Sequence, residues 1–331
     1  MQKEYSQFFY FETCLYYEWI FINAMMNYIK RKLKIILKNY QRAKSAKYLK
    51  EQAPHISQQK LEQQLLSLGV AQGDTIFLHS SLKSLGYVTG GPAAVIAALQ
   101  NAVGIQGNIL LPAYYLPGGT IENTCKLSDY CFDLRIHGTN MGRLPETFLA
   151  TKGVMRSLHP THSVAAWGKD AKFLTEAHHK ATSVFGKGSP WQRFSALPKA
   201  KVLGLGISMG PVTFYHLLED TLGDKFPLSV WQQEHLLRCV DSEGKVWKVP
   251  VRPYDKVLTA QRIDHPSRTD LRDFIKAELS KHGQLKQGQV GAGQSWLINS
   301  QDFYQHLEKL ANEGITIYST PEQLRNRPLV S

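Results

Sequence analysis

Two different chemistries are available within KVLGLGISMGPVTFYHLLED, residues 201–220. Gly206-Ile207-Ser208-Met209-Gly210 spells G-x-S-x-G between an apolar run and a helix-forming run, the setting in which α/β-hydrolases expose a nucleophilic serine. Asp220 and Asp224, then His235, His265 and His282, follow in the order serine, acid, histidine that such a triad needs. No HG-type oxyanion sequence precedes Ser208 at a recognisable place, and so short a motif also arises as a plain structural turn. His216 and Glu219 offer a second chemistry. Three residues apart on a helix, they share a face. A carboxylate there orients the imidazole, raises its basicity, or holds an incoming cationic amine. A helix histidine beside an incidental surface carboxylate has the same spacing, so the residues alone leave both readings open.

Two further stretches crowd polar donors. In RSLHPTHSVAAWG, residues 156–168, Arg156, Ser157, His159, Thr161, His162 and Ser163 stand just before an apolar run. His159 and His162 are metal-ligand types, but no third ligand has a convincing spacing and Pro160 spoils a helical pair. The donor count better suits a phosphate-bearing or amide-rich ligand; a capped turn with one buried histidine is the plainer alternative. In LHSSLKSLGYVTGGP, residues 78–92, a strand end gives Ser80, Ser81 and backbone N–H groups that suit a carbonyl oxygen or a phosphate. A helix-capping serine turn would look the same.

These groups need a scaffold, and regular elements begin at Ser57. SQQKLEQQLLSLGV carries Leu61, Leu65, Leu66 and Leu68 at helical spacing, with Ser57 as N-cap and Gly69 just past the end. GDTIFLHSSL predicts a strand leading to the serine turn, residues 93–103 a helix, and NILLPAY another strand. Residues 113–140 read as a long irregular loop, a length more often functional than idle. MGRLPETFLAT predicts a helix, SVAAWG a strand, DAKFLTEAHHK a helix, and SPWQRFSAL another capped by Ser189 with Pro190 at its first position. LLRCVDSEGKVWKVPV predicts a hairpin through Ser242-Glu243-Gly244. Residues 267–282 and 300–313 are amphipathic helices flanking the Gly/Gln-rich QLKQGQVGAGQSWLI, and ITIY reads as a final strand. The alternation predicts the α/β class: a mostly parallel central sheet sandwiched between helices, with an inserted β-hairpin.

The 331 residues, 43% apolar and 11% aromatic, suffice for a large core and exclude wholesale disorder. Lys and Arg number 39 against 27 Asp and Glu, a net charge of +12. Residues 1–55 hold ten of the bases and four of the acids, so they carry +6 and the rest of the chain the other +6. Without a basic stripe interleaved with aromatics, or a helix-turn-helix, RRM or zinc-finger pattern, no nucleic-acid partner is expected. Cys14, Cys125, Cys131 and Cys239 make no C-x-x-C pair and no metal spacing, so no metal is expected. No secretory signal is visible, because Glu12 and Glu18 interrupt the first apolar stretch, and a reducing cytoplasm is the expected compartment. Residues 1–52 stand apart from the domain at 53–331 as an aromatic and basic extension of helical character. Its uncharged run at 19–29 is far short of the ~20 residues a membrane helix needs. A basic amphipathic helix over 30–44 would suit weak contact with an anionic membrane face or an acidic partner. Docking of its Ile/Leu stripe on the main domain, or an extension upstream of a start at Met25 or Met26, are the alternatives.

The order of the blocks is more specific than any one of them. FLHSSLKSLGYVTGG, GNILLPAY, MGRLPETF, RSLHPTHSVAAWG, SPWQRF and KVLGLGISMGPVTFYHLLED, with the late GQVGAG, resemble the aminoglycoside 3-N-acetyltransferase (antibiotic N-acetyltransferase) family. The resemblance runs from about Ser57 to the end; residues 1–52 match nothing in it. It implies that family's fold and acetyl transfer from acetyl-CoA to a small-molecule amine, without a metal and without a stable acyl-enzyme. It implies His216 as general base and Glu219 as its neighbouring carboxylate. His79, Ser80, Ser81 and Leu82 would form part of the thioester and pantetheine site. Arg156, Ser157, His159, Thr161, His162 and Ser163 would complete the CoA groove, with Arg156 on a CoA phosphate. The chemistry agrees: an attacking amine must lose a proton, histidine titrates near the operating pH, and the developing oxyanion needs fixed donors. This ranks His216 above Ser208, leaving a serine esterase using Ser208 as the alternative. QVGAG lacks the Q/R-x-x-G-x-G/A spacing of the GNAT pyrophosphate loop, so that fold is not expected. The +6 on the catalytic portion weighs against a polycationic acceptor, favouring an amino sugar, nucleotide-linked and anionic, over the aminoglycoside close behind it.

Overall fold

The structure is a computed structural model that describes residues 51–326 continuously and most of residues 25–50. The aromatic stretch 1–24, and Arg31, Ile35, Lys38 and Arg42 of the predicted basic helix, lie outside the described residues. The chain forms two compact units, Met1–Ala53 and Pro54–Ser331. In the first, the described residues from 25 to 52 are helical and exposed, Leu33, Ile36, Leu37 and Tyr40 among them. Among the described residues no helix is long and apolar enough to cross a membrane.

The second unit is built on strands numbered here in chain order. β1 (His55–Ile56) pairs in parallel with β3 (Tyr87–Val88). The main sheet comprises β2 (Thr75–Ser80), β4 (Asn108–Pro112), β6 (Met155–Arg156), β7 (Val164–Gly168), β8 (Ala200–Leu205), β11 (Lys286–Val290) and β12 (Gly293–Asn299). Its order is β11-β12-β8-β2-β4-β7-β6. β5 (Cys131–Asp133), β9 (His235–Val240) and β10 (Val246–Val251) make a small second sheet, in which β9 and β10 are the predicted hairpin.

Both faces of the main sheet are covered, which is why TIFLHS and NILLP are almost continuously apolar. Ile76, Leu78, Ile109 and Leu111 face one core, beneath the helices Gln58–Leu68, Gly91–Val103 and Arg143–Leu149. Phe77, Leu110, Val202 and Trp296 face the other, beneath His216–Leu222, Thr269–Lys281 and Ser300–Asn312. The helix Gln58–Leu68 starts as its sequence predicts, the Ser57 hydroxyl accepting from Lys60 N, and stops at Gly69 with φ +111.

The sandwich and the α/β class are as expected, but the sheet is mixed rather than mostly parallel. Only β2 with β4 and β2 with β8 run in parallel. β11 and β12 are the two arms of QLKQGQVGAGQSWLI, and so short a connection can join only antiparallel neighbours. β12 then lies antiparallel to β8, and β7 antiparallel to β4. ITIY is not a strand either. Thr316 N donates to Ser319 Oγ at 2.8 Å and Tyr318 N to Thr316 Oγ1 at 3.2 Å, closing a buried turn. The three parallel strands β4, β2 and β8 point their carboxyl ends the same way, and there the loops of an α/β sheet leave a crevice.

Candidate active site

β8 ends at Leu205, and Gly206 turns the chain out of the sheet at φ +67, a conformation glycine takes without strain. Its N–H donates to Ser295 Oγ at 3.0 Å, and the Tyr215 hydroxyl ties the excursion back to the Met209 carbonyl at 2.7 Å. The turn Thr213–Tyr215 then feeds the helix His216–Leu222, so His216 and Glu219 share a face of its first turn. His216 Nδ1 lies 3.0 Å from each Glu219 oxygen. The Tyr318 hydroxyl donates to Glu219 Oε1 at 2.7 Å. His216 is 8% exposed and Glu219 3%. An ionised carboxylate only accepts, so the proton sits on Nδ1 and Nε2 keeps its lone pair. The rings of Phe185 and Tyr254 flank the imidazole, with centroids 5.2 and 4.8 Å away.

His216 opens on a cavity of about 720 Å³ at the carboxyl ends of the parallel strands. Pro112 from β4, His79 from β2 and Gly210 beyond β8 all line it, with Tyr114, His162 and Tyr254. Its charged side chains are largely paired: Lys256 with Glu122 at 3.1 Å, and Arg262 with Asp264 through two contacts of 2.7 and 2.8 Å. Burial, reinforced by His216, pushes His79 down to about 3. Burial likewise holds His162 well below the ordinary histidine value, with His178 and His216 adding to it. Both face His216 as neutral rings.

Of the residues singled out in the sequence, His216, His79 and His162 line this cavity. Ser80, Ser81 and Leu82 follow His79 but are not in its lining. The Ser81 N–H, moreover, already donates to Leu205 O at 3.0 Å, so it is not a free donor for an oxyanion. The second block forms the floor beneath. Ser157 Oγ accepts from Val164 N at 2.8 Å and contacts His178 Nδ1 at 3.0 Å. His159 Nδ1 accepts from the backbone of Thr161 and His162, and Thr161 Oγ1 lies 2.8 Å from His162 Nδ1. Ser163 Oγ donates to Ala113 O at 2.7 Å.

Arg156 is held by the fold itself. Its guanidinium donates to the carbonyls of His137, Ala113 and Gly138 and to Ser163 Oγ, and lies over the Phe132 ring. Those bonds staple the loop 113–140 to the sheet and engage Arg156 within the scaffold. His159 and His162 are likewise engaged within their own turn, and among the described residues no three metal-ligating side chains cluster.

The structure lends Ser208 no support as a nucleophile. It is exposed, and its cavity of about 340 Å³ is lined by Arg272, Asp273 and Lys276 but by no histidine. His265 contacts Ser267 at 2.7 Å, His282 packs beside His306, and His235 belongs to β9. None of these histidines is hydrogen-bonded to Ser208, whose hydroxyl accepts from Gly210 N at 3.4 Å.

A second cavity, of about 790 Å³, lies against the same helix. Glu219, Asp220, Asp224 and Glu234 line it, and Arg252 is the one cation in that lining. Burial raises the Asp220 pKa, while its carboxylate accepts from Phe185 N at 2.7 Å. The four carboxylates of this acidic wall all fall within residues 219–234, yet a net charge taken over the whole domain does not reveal them. Nor did the sequence signal Tyr318, 99 residues from the carboxylate it holds.

Fold and site define an α/β protein that buries a carboxylate-oriented imidazole in a cleft at the ends of its parallel strands. The profile of the aminoglycoside 3-N-acetyltransferase family matches residues 77–312. Aminoglycoside N(3)-acetyltransferase III of Salmonella sp is 32% identical over 259 residues, covering 74% of this chain and 88% of that protein. Aminoglycoside N(3)-acetyltransferase VII of Streptomyces paromomycinus is 31% identical over 272 residues, 77% of this chain and 91% of that one. The chain therefore belongs to the aminoglycoside 3-N-acetyltransferase family, a family of acyltransferases. Among solved structures, aminoglycoside acetyltransferase AAC(3)-Xa aligns with a TM-score of 0.66 at 26% identity, covering 80% of this chain and 95% of that one. AAC-VIa bound to sisomicin gives 0.62 at 27%, covering 76% and 96%. AAC-IIIb with CoASH shares the fold, at 0.67 and 24% identity over 81% and 100%.

Proposed function

We propose that this chain transfers acetyl from acetyl-CoA to a primary amine of an aminoglycoside, with His216 as general base and Glu219 as the carboxylate that orients it. The observation carrying this reading is the array Tyr318–Glu219–His216, buried at one end of a cavity with its Nε2 lone pair free of the carboxylate. The acceptor ammonium first loses one proton to solvent. The free amine then attacks the thioester carbonyl while His216 Nε2 takes its second proton. As the intermediate collapses, the C–S bond breaks and the imidazolium, stabilised by Glu219, returns that proton to the departing thiolate. Donor use is supported by the CoASH held in AAC-IIIb, and by a His216 cavity of about 720 Å³ whose lining is mainly apolar, as a pantetheine arm needs. His79 and His162 would meet the thioester end of that arm.

The acceptor class rests on the acidic wall. Arg252 pairs with Glu234 at 3.3 Å, and the remaining acids, Glu219, Asp220 and the exposed Asp224, leave this lining acidic, which favours a cation over an anionic sugar nucleotide. Sisomicin bound to AAC-VIa supports the same class. Asp224→Asn combined with Glu234→Gln is expected to raise KM for an aminoglycoside about 5–10-fold, with KM for acetyl-CoA unchanged and a flatter salt dependence. Equal effects on both substrates would remove the wall from acceptor binding. The donor is tested by thermal melting: acetyl-CoA at about a hundred times its Kd stabilises by ~2.7 kcal/mol. In a domain of this size that is a rise of ~2–4 °C in Tm. An unmoved Tm with and without acceptor present would count against acetyl-CoA.

A further inference from the structure

The helix His216–Leu222 presents three polar side chains, His216, Glu219 and Asp220, at i, i+3 and i+4, so all three share one face. Glu219 takes the imidazole Nδ1, but Asp220 reaches to a different element. Its Oδ2 accepts from the Phe185 amide at 2.7 Å, across 35 residues of chain. Phe185 stands in a turn closed by two backbone bonds, Thr182 N to Lys187 O at 3.1 Å and Ser189 N to Gly186 O at 3.0 Å. Neither of those bonds uses the Phe185 amide, which donates to Asp220 instead. The Phe185 ring is 1% exposed and wedged among Trp191, His162 and His216, at centroid distances of 4.6, 5.3 and 5.2 Å. Tyr254, at 4.8 Å, gives the imidazole its second aromatic contact.

Resting on the acetyl-transfer reading above, we propose that Asp220 is a positioning residue for His216: by holding the Phe185 amide, its carboxylate sets the aromatic wall that keeps the imidazole, and with it Nε2, in one orientation. Glu219 alone does not achieve this. A bond from Nδ1 to a carboxylate fixes one edge of the ring, and the imidazole still swings about that bond unless packing locks its faces. Phe185 supplies that packing only while its turn stays in place. A hydrogen bond to a carboxylate is roughly twice as strong as one to a neutral acceptor, which suits a turn that no strand or long helix holds. The arrangement also joins two sites. Asp220 lines the acidic cavity beside Ser183, whereas Phe185 lines the cavity on which His216 opens. Direct contact of Asp220 with an acceptor amine is the rival role, and it has a different kinetic signature.

The test reads kcat and KM separately in the intact protein. Asp220→Ala removes the accepting oxygens and is expected to lower kcat about 10–100-fold, with KM for acetyl-CoA and for the amine within about threefold of wild type. Asp220→Asn keeps an oxygen for the Phe185 amide and should recover most of that loss. Phe185→Leu, with Asp220 intact, should lower kcat over the same range, and the two losses should not add in the double variant. An Asp220→Asn as slow as Asp220→Ala would overturn the proposal. So would a loss confined to KM for the amine, the mark of an acceptor contact. A readout without turnover is the NMR signal of the His216 ring, which lies close enough to Phe185 to feel its ring current. That signal should move in Asp220→Ala and in Phe185→Leu and stay near its wild-type position in Asp220→Asn; an unmoved signal in Asp220→Ala would overturn the clamp. If wild type itself releases no thiol from acetyl-CoA with any amine, the acetyl-transfer reading fails, and the His216 signal alone then decides whether Asp220 holds the ring.

Discussion

His216→Gln is expected to lower kcat/KM for acetyl transfer by about 10²–10⁴-fold, the range for removing a positioned general base. The affinity for acetyl-CoA should stay as in wild type, because the imidazole acts on the amine proton rather than on the bulk of the donor. Glu219 acts through the ring it touches at 3.0 Å, so Glu219→Gln should lose less, about 10–100-fold. The two losses should not add: with His216 already replaced, removing the Glu219 charge has no base left to support. Thiol-release rates for both single variants and the double variant check this. If Glu219→Gln lowers the rate as much in the His216→Gln background as in wild type, the carboxylate works by another route, such as binding the acceptor directly.

The second large effect concerns acid stability. His79 and His178 are both pushed down to about 3, chiefly by burial, and burial also holds His159 and His162 well below the ordinary value. For a histidine with a lowered folded pKa the unfolded chain binds the proton more readily. Stability is therefore complete above about pH 6.5 and falls as pH drops from there toward 3. Each ring that must charge on unfolding pulls the equilibrium the same way, so the four together make acid a strong destabiliser of this fold. Urea unfolding at pH 7.5, 6.5 and 5.5 should show a steep decline across the last two. A midpoint unchanged down to pH 5 would mean that these rings charge within the fold.

How much of this was legible depended on sequence distance. The Ser57 cap with Gly69, the turn at Ser242-Glu243-Gly244 and the His216–Glu219 pair are local, set by residues within one turn of each other, and each has the expected geometry. What was missed is assembled across the chain. Strand direction in the sheet depends on which strands become neighbours, and apolar runs that bury both faces carry no sign of it. Tyr318 reaches Glu219 only because the turn at Thr316 and Ser319 swings its ring inward, and ITIY by itself alternates as a strand would. The carbonyls that Arg156 holds, in the loop 113–140, were equally out of sight, because a donor count says nothing about which acceptors lie within reach. Net charge is equally blind to place: it sums the whole surface, whereas Asp220, Asp224 and Glu234 gather in one cavity.

The most direct measurement is the acceptor dependence of thiol release from acetyl-CoA by the full chain, comparing an aminoglycoside panel with UDP-linked amino sugars under matched conditions. Release with the aminoglycosides, with one acetyl found on an amine of the product and little turnover of the anionic sugars, is the predicted result. Release with the sugar nucleotides and none with the aminoglycosides would contradict it, and would mean that the carboxylate wall beside His216 serves something other than a polycation.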